Sequence, residues 1–369
     1  MMVELSKPAP PTAQGPVKEQ LRGRVQGCVT GLAWAPQAAQ LAIASAAGEF
    51  ILVDFAAGVD WPLQEANAAG SKGFDALGFS SCGSRLAAAG EGGVLSLWRL
   101  DGDVPQQLIA PAVGGWIDQL AWQPDGRLLA VARGDEIWIW HSEDQVWLPP
   151  LCSPGGAVMA LSWSPAGDQL AAGTGQGVWI WRLPLTPAPT HRAMEPLHLE
   201  TGSAVLQLVW GSDPPWLVAG LLDRRLVLWR DLQQPMLGVG DLPGKIHALA
   251  LSRLASGQQG LLVAAAEAAV VWSGQGGDLE AWNAVLLPFH LDRISALACG
   301  PAQAPIVTAS RDGTAALWSE AGSLLQVLEL NGQALSSVAW RSDRKALAAG
   351  GEEGGWVMWP LDPDEEARA

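Results

Sequence analysis

Short apolar strands broken by Pro, Asp and Gly turns recur along this chain, and no stretch carries a convincing amphipathic helix. Eight times an apolar strand ends at one register: Val53, Trp98, Trp140, Trp181, Trp229, Trp272, Trp318 and Trp359. The successive spacings are 45, 42, 41, 48, 43, 46 and 41 residues. A period in the low forties is the mark of a propeller array, in which each unit is one small antiparallel sheet. No single unit can bury both of its faces, so the sheets must stack around an axis.

Each unit repeats an internal order. Before every mark lies a strand of the form apolar-x-x-apolar-small-aromatic: Val29 to Trp34, Phe74 to Phe79, Ile117 to Trp122, Val158 to Trp163, Val205 to Trp210, Ile246 to Leu251, Ile294 to Cys299 and Leu335 to Trp340. Alternation puts its first, third and fifth positions on one face. The fifth is small in seven units (Ala33, Gly78, Ala121, Ser162, Ala250, Ala298, Ala339) and Val209 in the other, as expected of an inner strand in a wedge-shaped sheet. A Pro/Asp/Gly turn follows, for example Gln123-Pro124-Asp125-Gly126. A short Leu/Ala strand, a Gly-containing hairpin and the strand that ends at the mark complete the core. A fourth apolar stretch recurs between units, as in Gln326 to Leu330.

Eight three-strand cores share only seven such fourth strands. The segment Glu19 to Val25 can supply the eighth by pairing with the last unit, which would remove exposed sheet edges. The expectation is an all-β propeller of eight four-stranded blades over residues 19–360. A disordered Pro-rich tail precedes it (1–18) and an acidic tail follows it (361–369). Seven blades, with the first or sixth unit excluded, is the alternative.

The repeat resembles the WD-repeat family over residues 20–360, in a divergent, bacterial-type form. The best single unit runs from His290-Leu291-Asp292-Arg293-Ile294 through Thr308-Ala309-Ser310-Arg311-Asp312-Gly313 to Leu317-Trp318. The resemblance implies a polar network that locks one blade, built from His290, Thr308 or Ser310, Asp312 and Trp318, with a structural role. Such groups can be buried only if they satisfy one another. The dipeptide Trp-Asp never occurs, and most other turns are Gly- or Ala-rich, so packing of tryptophan carries the remaining units. The resemblance also implies partner binding at the loop face around the central channel. Register places Trp116, Lys245 and Arg293 there, just ahead of inner strands, and Glu91, Arg311 and Glu352 in hairpins.

Composition changes the picture in a few places. The chain has 20 Trp and no Tyr, and 12 of the 20 fall on the two repeat positions. Trp138 and Trp179, each two residues before a mark, are expected to pack between blades. Twenty-two basic against 37 acidic residues leave a net charge of −15, which disfavours nucleic acid and anionic membranes. No apolar run approaches a membrane span, and the N-terminal residues lack a secretory pattern, so a cytoplasmic location is expected. Cys28, Cys82, Cys152 and Cys299 show no paired spacing and read as reduced thiols, Cys299 as a core filler. His191 and His198 are a weak metal-ligand pair.

No catalytic motif stands out, and no cofactor or metal is expected. The second inner-strand position reads Thr30, Asp75, Asp118, Met159, Leu206, His247, Ser295 and Ser336. Its titratable members are Asp75, Asp118 and His247. The expected function is a non-catalytic, monomeric scaffold that binds one or more proteins through Trp116, Asp118, Lys245, His247, Arg293, Arg311, Glu91 and Glu352. The alternative is a metal-handling accessory protein or propeller enzyme using Asp75, Asp118 and His247, which requires those three side chains to converge.

Overall fold

The structure is a computed structural model that describes residues 21–66, 72–183, 195–212, 215–230, 232, 235–240, 242–254, 256–274, 282–300 and 304–361. The expected N-terminal tail, the C-terminal tail beyond Leu361, and His191 of the weak metal pair lie outside these residues. Every regular element among the described residues is a β-strand, and no helix is long and apolar enough to cross a membrane.

The strands form eight antiparallel sheets, the blades of a β-propeller. Blades 1 to 7 cover residues 29–64, 74–108, 119–152, 158–199, 205–239, 246–287 and 294–329. Blade 8 takes three strands from 335–360 and its fourth from Leu21–Arg24, which pairs antiparallel with the last strand, Leu21 opposite Met358 and Arg24 opposite Gly355. The count is therefore eight, and the N-terminal segment supplies the missing strand. In blade 3 the fourth position is split into Val146–Trp147 and Leu151–Cys152, both paired with Glu136–His141. Pro149 and Pro150 lie between the two pieces, and proline has no N–H to give to a ladder.

The chain divides into two compact units, residues 1–32 with 242–369, and residues 33–241; the boundary falls inside Val29–Trp34, the first strand of blade 1. Within each unit, neighbouring blades bury their faces against one another. In the second unit one core joins Ala87, Ala89 and Leu97 of blade 2 to Leu129, Val131 and Trp140 of blade 3. In the first, Val307, Ala309 and Leu317 of blade 7 meet Leu347, Ala349 and Trp359 of blade 8. The marks Trp140, Trp229, Trp318 and Trp359 are fully buried, and truncating such a side chain to alanine costs about 3–5 kcal/mol.

Polar contacts between blades recur at fixed register. Ile117, Val158 and Ile294, the first residues of the sequence repeat, donate their N–H to Gly90, Gly134 and Ala266 of the preceding blade. The tryptophan at the sixth position does the same from its ring: Trp122 Nε1 donates to the Gly78 carbonyl at 3.0 Å and Trp163 Nε1 to Ala121 at 2.9 Å. Those acceptors are the small fifth-position residues. A Cβ added at Gly78 would lie 3.2 Å from Leu120 Cδ1 and 3.6 Å from Trp122 Cδ1. The fifth position is thus kept small by the next blade packing over it.

Candidate functional site

The second position of the first strand is where the sheets depart from regular pairing. In six blades the ladder skips one residue there: Asp75, Met159, Leu206, His247, Ser295 or Ser336. A bulged residue leaves the pleat and its side chain is re-aimed. Ser295 Oγ lies 2.6 Å from the Leu335 carbonyl, which begins the first strand of blade 8. Ser336 Oγ reaches the equivalent Val29 carbonyl at 2.5 Å. Asp75 makes the same blade-to-blade reach as a side-chain contact, accepting a hydrogen bond from Trp116 Nε1 at 2.7 Å. Sequence alternation alone treats this position as an ordinary strand residue. The signal available was a run of polar residues at one register in otherwise apolar strands.

Trp116 stands at the edge of a groove of about 450 Å³ lined by Gly115, Trp116, Asp118, Arg133, Gly134, Asp135 and Glu136. Its position is dictated locally. Gly114 and Gly115 have φ of 69° and 68°, a left-handed conformation that glycine adopts without strain. Gly114 N–H bonds to the Gly93 carbonyl and Ile117 N–H to Gly90, so the double-glycine turn is tied to the blade 2 hairpin. The regular strand then begins only at Gln119, two residues later than the repeat suggests. Trp116 is left 52% exposed, its ring oriented by Asp75.

Two of the lining residues, Arg133 and Glu136, contact a second tryptophan, Trp138. Arg133 donates to the Val113 carbonyl at 2.6 Å and forms an ion pair with Glu136. Its guanidinium lies 5.9 Å from the Trp138 ring centroid, and Trp138 Nε1 donates to Glu136 Oε2 at 3.1 Å. Trp138 meets Trp147 of its own blade edge-on at 6.0 Å. Trp179 stacks on His198 of its own blade at 4.0 Å and 8°. Besides these contacts within the blade, Trp138 packs on the core shared by blades 2 and 3 and Trp179 on the core shared by blades 3 and 4, as expected of rings placed between blades.

Electrostatics in this region are acidic. Burial pushes the Asp75 carboxyl up; the Trp116 hydrogen bond opposes this, and the charges of Glu91 and Asp118 add to it. Burial also pushes Asp118 up. Among the described residues no side-chain hydrogen bond or ion pair engages the Asp118 carboxylate.

The remaining candidates belong to the first unit. His247 is held below its usual range by burial and by the positive charges of Arg293 and Lys245. Arg311 and Glu352 are paired with each other, Nε to Oε1 at 2.8 Å and Nη2 to Oε2 at 3.1 Å. Trp116, Asp118 and Glu91 lie in the second unit; Lys245, His247, Arg293, Arg311 and Glu352 lie in the first. Among the described residues no group of three or more His, Cys, Asp or Glu is placed to hold a metal ion. His198 is occupied by the Trp179 stack and the Gln176 carbonyl at 3.0 Å.

In blade 7, His290, Thr308, Asp312 and Trp318 form one continuous chain of hydrogen bonds. Trp318 Nε1 donates to Thr308 Oγ1 at 2.9 Å, and Thr308 Oγ1 is 2.7 Å from His290 Nε2. His290 Nδ1 faces Asp312 Oδ2 at 3.2 Å and Thr314 Oγ1 at 3.1 Å. Thr314 joins the network without having been singled out by its sequence position. Ser310 takes a neighbouring role: its hydroxyl donates to the Asp292 carbonyl and accepts from Asp312 N–H. Burial would raise the Asp312 carboxyl, but the hydrogen bonds from His290, Thr314 and Leu291 N–H outweigh it and hold the group far below the usual range.

All four cysteines are free. Burial pushes the Cys299 thiol up to about 12, and its side chain packs on the core between blades 6 and 7. The exposed Cys82 is brought down to about 7 by the hydroxyls of Ser80 and Ser84. The sequence matches no protein-family model and no curated protein.

Proposed function

We propose that this chain is a divergent WD-repeat propeller that acts as a non-catalytic, monomeric scaffold in the cytoplasm. Its partner is a protein, neither nucleic acid nor membrane. The observation that carries this reading is Trp116: a large aromatic ring, half exposed, fixed by a hydrogen bond and a tied double-glycine turn at the rim of a groove. Interfaces concentrate their energy in such aromatic anchors, and an anchor that is already rigid loses little entropy on binding.

The metal or enzyme reading is less well supported. Asp75 is engaged by the Trp116 indole, and His247 is flanked by two cationic side chains that repel a metal ion.

The test is affinity capture from the native host with the immobilised chain. Trp116→Ala should abolish recovery of the principal partner with the melting curve unchanged. Arg311→Ala, tested separately, asks whether the paired Arg311–Glu352 surface contributes. Arg127→Ala is the control, because Arg127 is exposed and, among the described residues, its side chain pairs with Asp125 of its own turn. Gln123 is unsuitable for that purpose: it is buried and donates to the Gly167 carbonyl of blade 4 at 2.7 Å. Recovery that is indifferent to both Trp116→Ala and Arg311→Ala would refute the scaffold reading.

A further inference from the structure

Two indole–carboxylate pairs adjoin the Trp116 groove, and one of them lacks a guanidinium. Next to the lining residues Arg133 and Glu136, the Trp138 indole N–H donates to the Glu136 carboxylate, and the Arg133 guanidinium lies over that ring and pairs with the same carboxylate. At Trp116 the indole N–H donates to a carboxylate, Asp75, a second carboxylate, Asp118 of the groove lining, stands without a side-chain partner among the described residues, and the ring is 52% exposed. The charges acting on Asp75 there are the negative ones of Glu91 and Asp118. Asp135 adds another carboxylate to the lining, while Arg133, the guanidinium of the groove, is already neutralised by Glu136.

We propose that this groove binds an arginine side chain presented by a basic segment of the partner protein, with the guanidinium stacked on Trp116 and paired to Asp118 and Asp75. The inference rests on the scaffold reading above and names the chemistry of its partner. A planar guanidinium suits the site better than an ammonium because it can stack on an indole and pair with a carboxylate through fixed donors at once. The protein's net charge of −15 favours approach of a basic segment at low ionic strength. Arrival of a cation also relieves the mutual repulsion of Asp75, Glu91 and Asp118, so the bound state gains from a strain that the free protein carries.

The experiment uses the full chain and a fluorescein-labelled, end-capped peptide with arginines in a Gly/Ser background. The same peptide with citrulline, the neutral analogue of arginine, and with lysine serve as comparisons. Anisotropy should show salt-sensitive binding of the arginine peptide, about tenfold weaker or undetectable binding of the citrulline peptide, and weaker binding of the lysine peptide. Trp116→Ala and Asp118→Asn should each weaken the arginine peptide by about tenfold, with Arg127→Ala unchanged. Asp118→Asn keeps the shape of the side chain and serves as the variant least able to disturb folding.

Equal binding of arginine and citrulline peptides overturns the proposal, as does arginine binding that survives both substitutions. Lysine binding as tight as arginine refutes the guanidinium assignment. If Trp116→Ala abolishes partner capture yet no arginine peptide binds, the cation is wrong and the scaffold stands. If capture is also indifferent to Trp116 and Arg311, both readings fail.

Discussion

Replacing Asp312 by alanine tests the hydrogen-bond chain of blade 7 most directly. The carboxylate accepts four bonds: from Leu291 N–H at 2.8 Å, Thr314 N–H at 3.0 Å, Thr314 Oγ1 at 2.6 Å and His290 Nδ1 at 3.2 Å. Not all are lost at equal cost. Leu291 is exposed and Thr314 half-buried, so their N–H groups can turn to water. The His290 side chain is fully buried, but its Nδ1 keeps Thr314 Oγ1 at 3.1 Å. The loss is therefore that of a charge-assisted bond with partial rescue, roughly 1–3 kcal/mol, below the cost of a wholly orphaned buried donor and charge.

The sign with pH follows from the depressed carboxyl. A group whose pKa is lower in the folded state stabilises the fold above its unfolded value of about 3.9 and loses that contribution as pH falls through the folded value. The gap in urea midpoint between wild type and Asp312→Ala should be constant from about pH 7 to pH 5 and narrow below about pH 4. Equal midpoints at neutral pH would refute the buried network, and a gap that does not change down to pH 3 would refute the role of the carboxylate charge.

Three further outcomes are expected. Deleting residues 1–26 removes the strand Leu21–Arg24 from blade 8 and unpairs Gly355 to Met358, so the midpoint should fall or the protein aggregate; an unchanged unfolding curve would contradict the pairing. Gly78→Val should destabilise by about 1–3 kcal/mol, because its Cβ alone would already press on Leu120 and touch Trp122, leaving no room for two further methyl groups; a neutral result would show that the next blade yields freely. Cys82 should alkylate with a rate that rises with pH through an apparent value of about 7, since the thiolate is the nucleophile; a fast phase that survives Cys82→Ser would assign the reactivity elsewhere.

The repeat period, the strand order within each unit and the blade count were all legible in the chain. They depend on local alternation, on turn residues and on where tryptophan recurs, and neighbouring residues in sequence decide each of these. The eighth blade was legible for a related reason: a strand-like segment without a unit of its own must pair with a unit that lacks one. The contents of the candidate site were only half legible. Trp116 broke the pattern of residues ahead of the inner strands, and Asp75 and Asp118 were titratable residues at one repeated register.

What tertiary structure decided was direction and company. A bulge moves one residue out of the pleat, so Asp75, Ser295 and Ser336 reach the following blade where strict alternation makes them ordinary strand residues. Trp116 meets Asp75 across 41 residues of sequence, through a double-glycine turn anchored on a different blade. Arg133 and Glu136 cancel each other beside them, which counting charges along the chain cannot reveal. Alternation is a property of one strand, whereas the surroundings of a bulged side chain belong to the sheet packed against it. The propeller was therefore written in the sequence, and the company of Trp116, Asp75 and Asp118 became visible only once two blades were placed side by side.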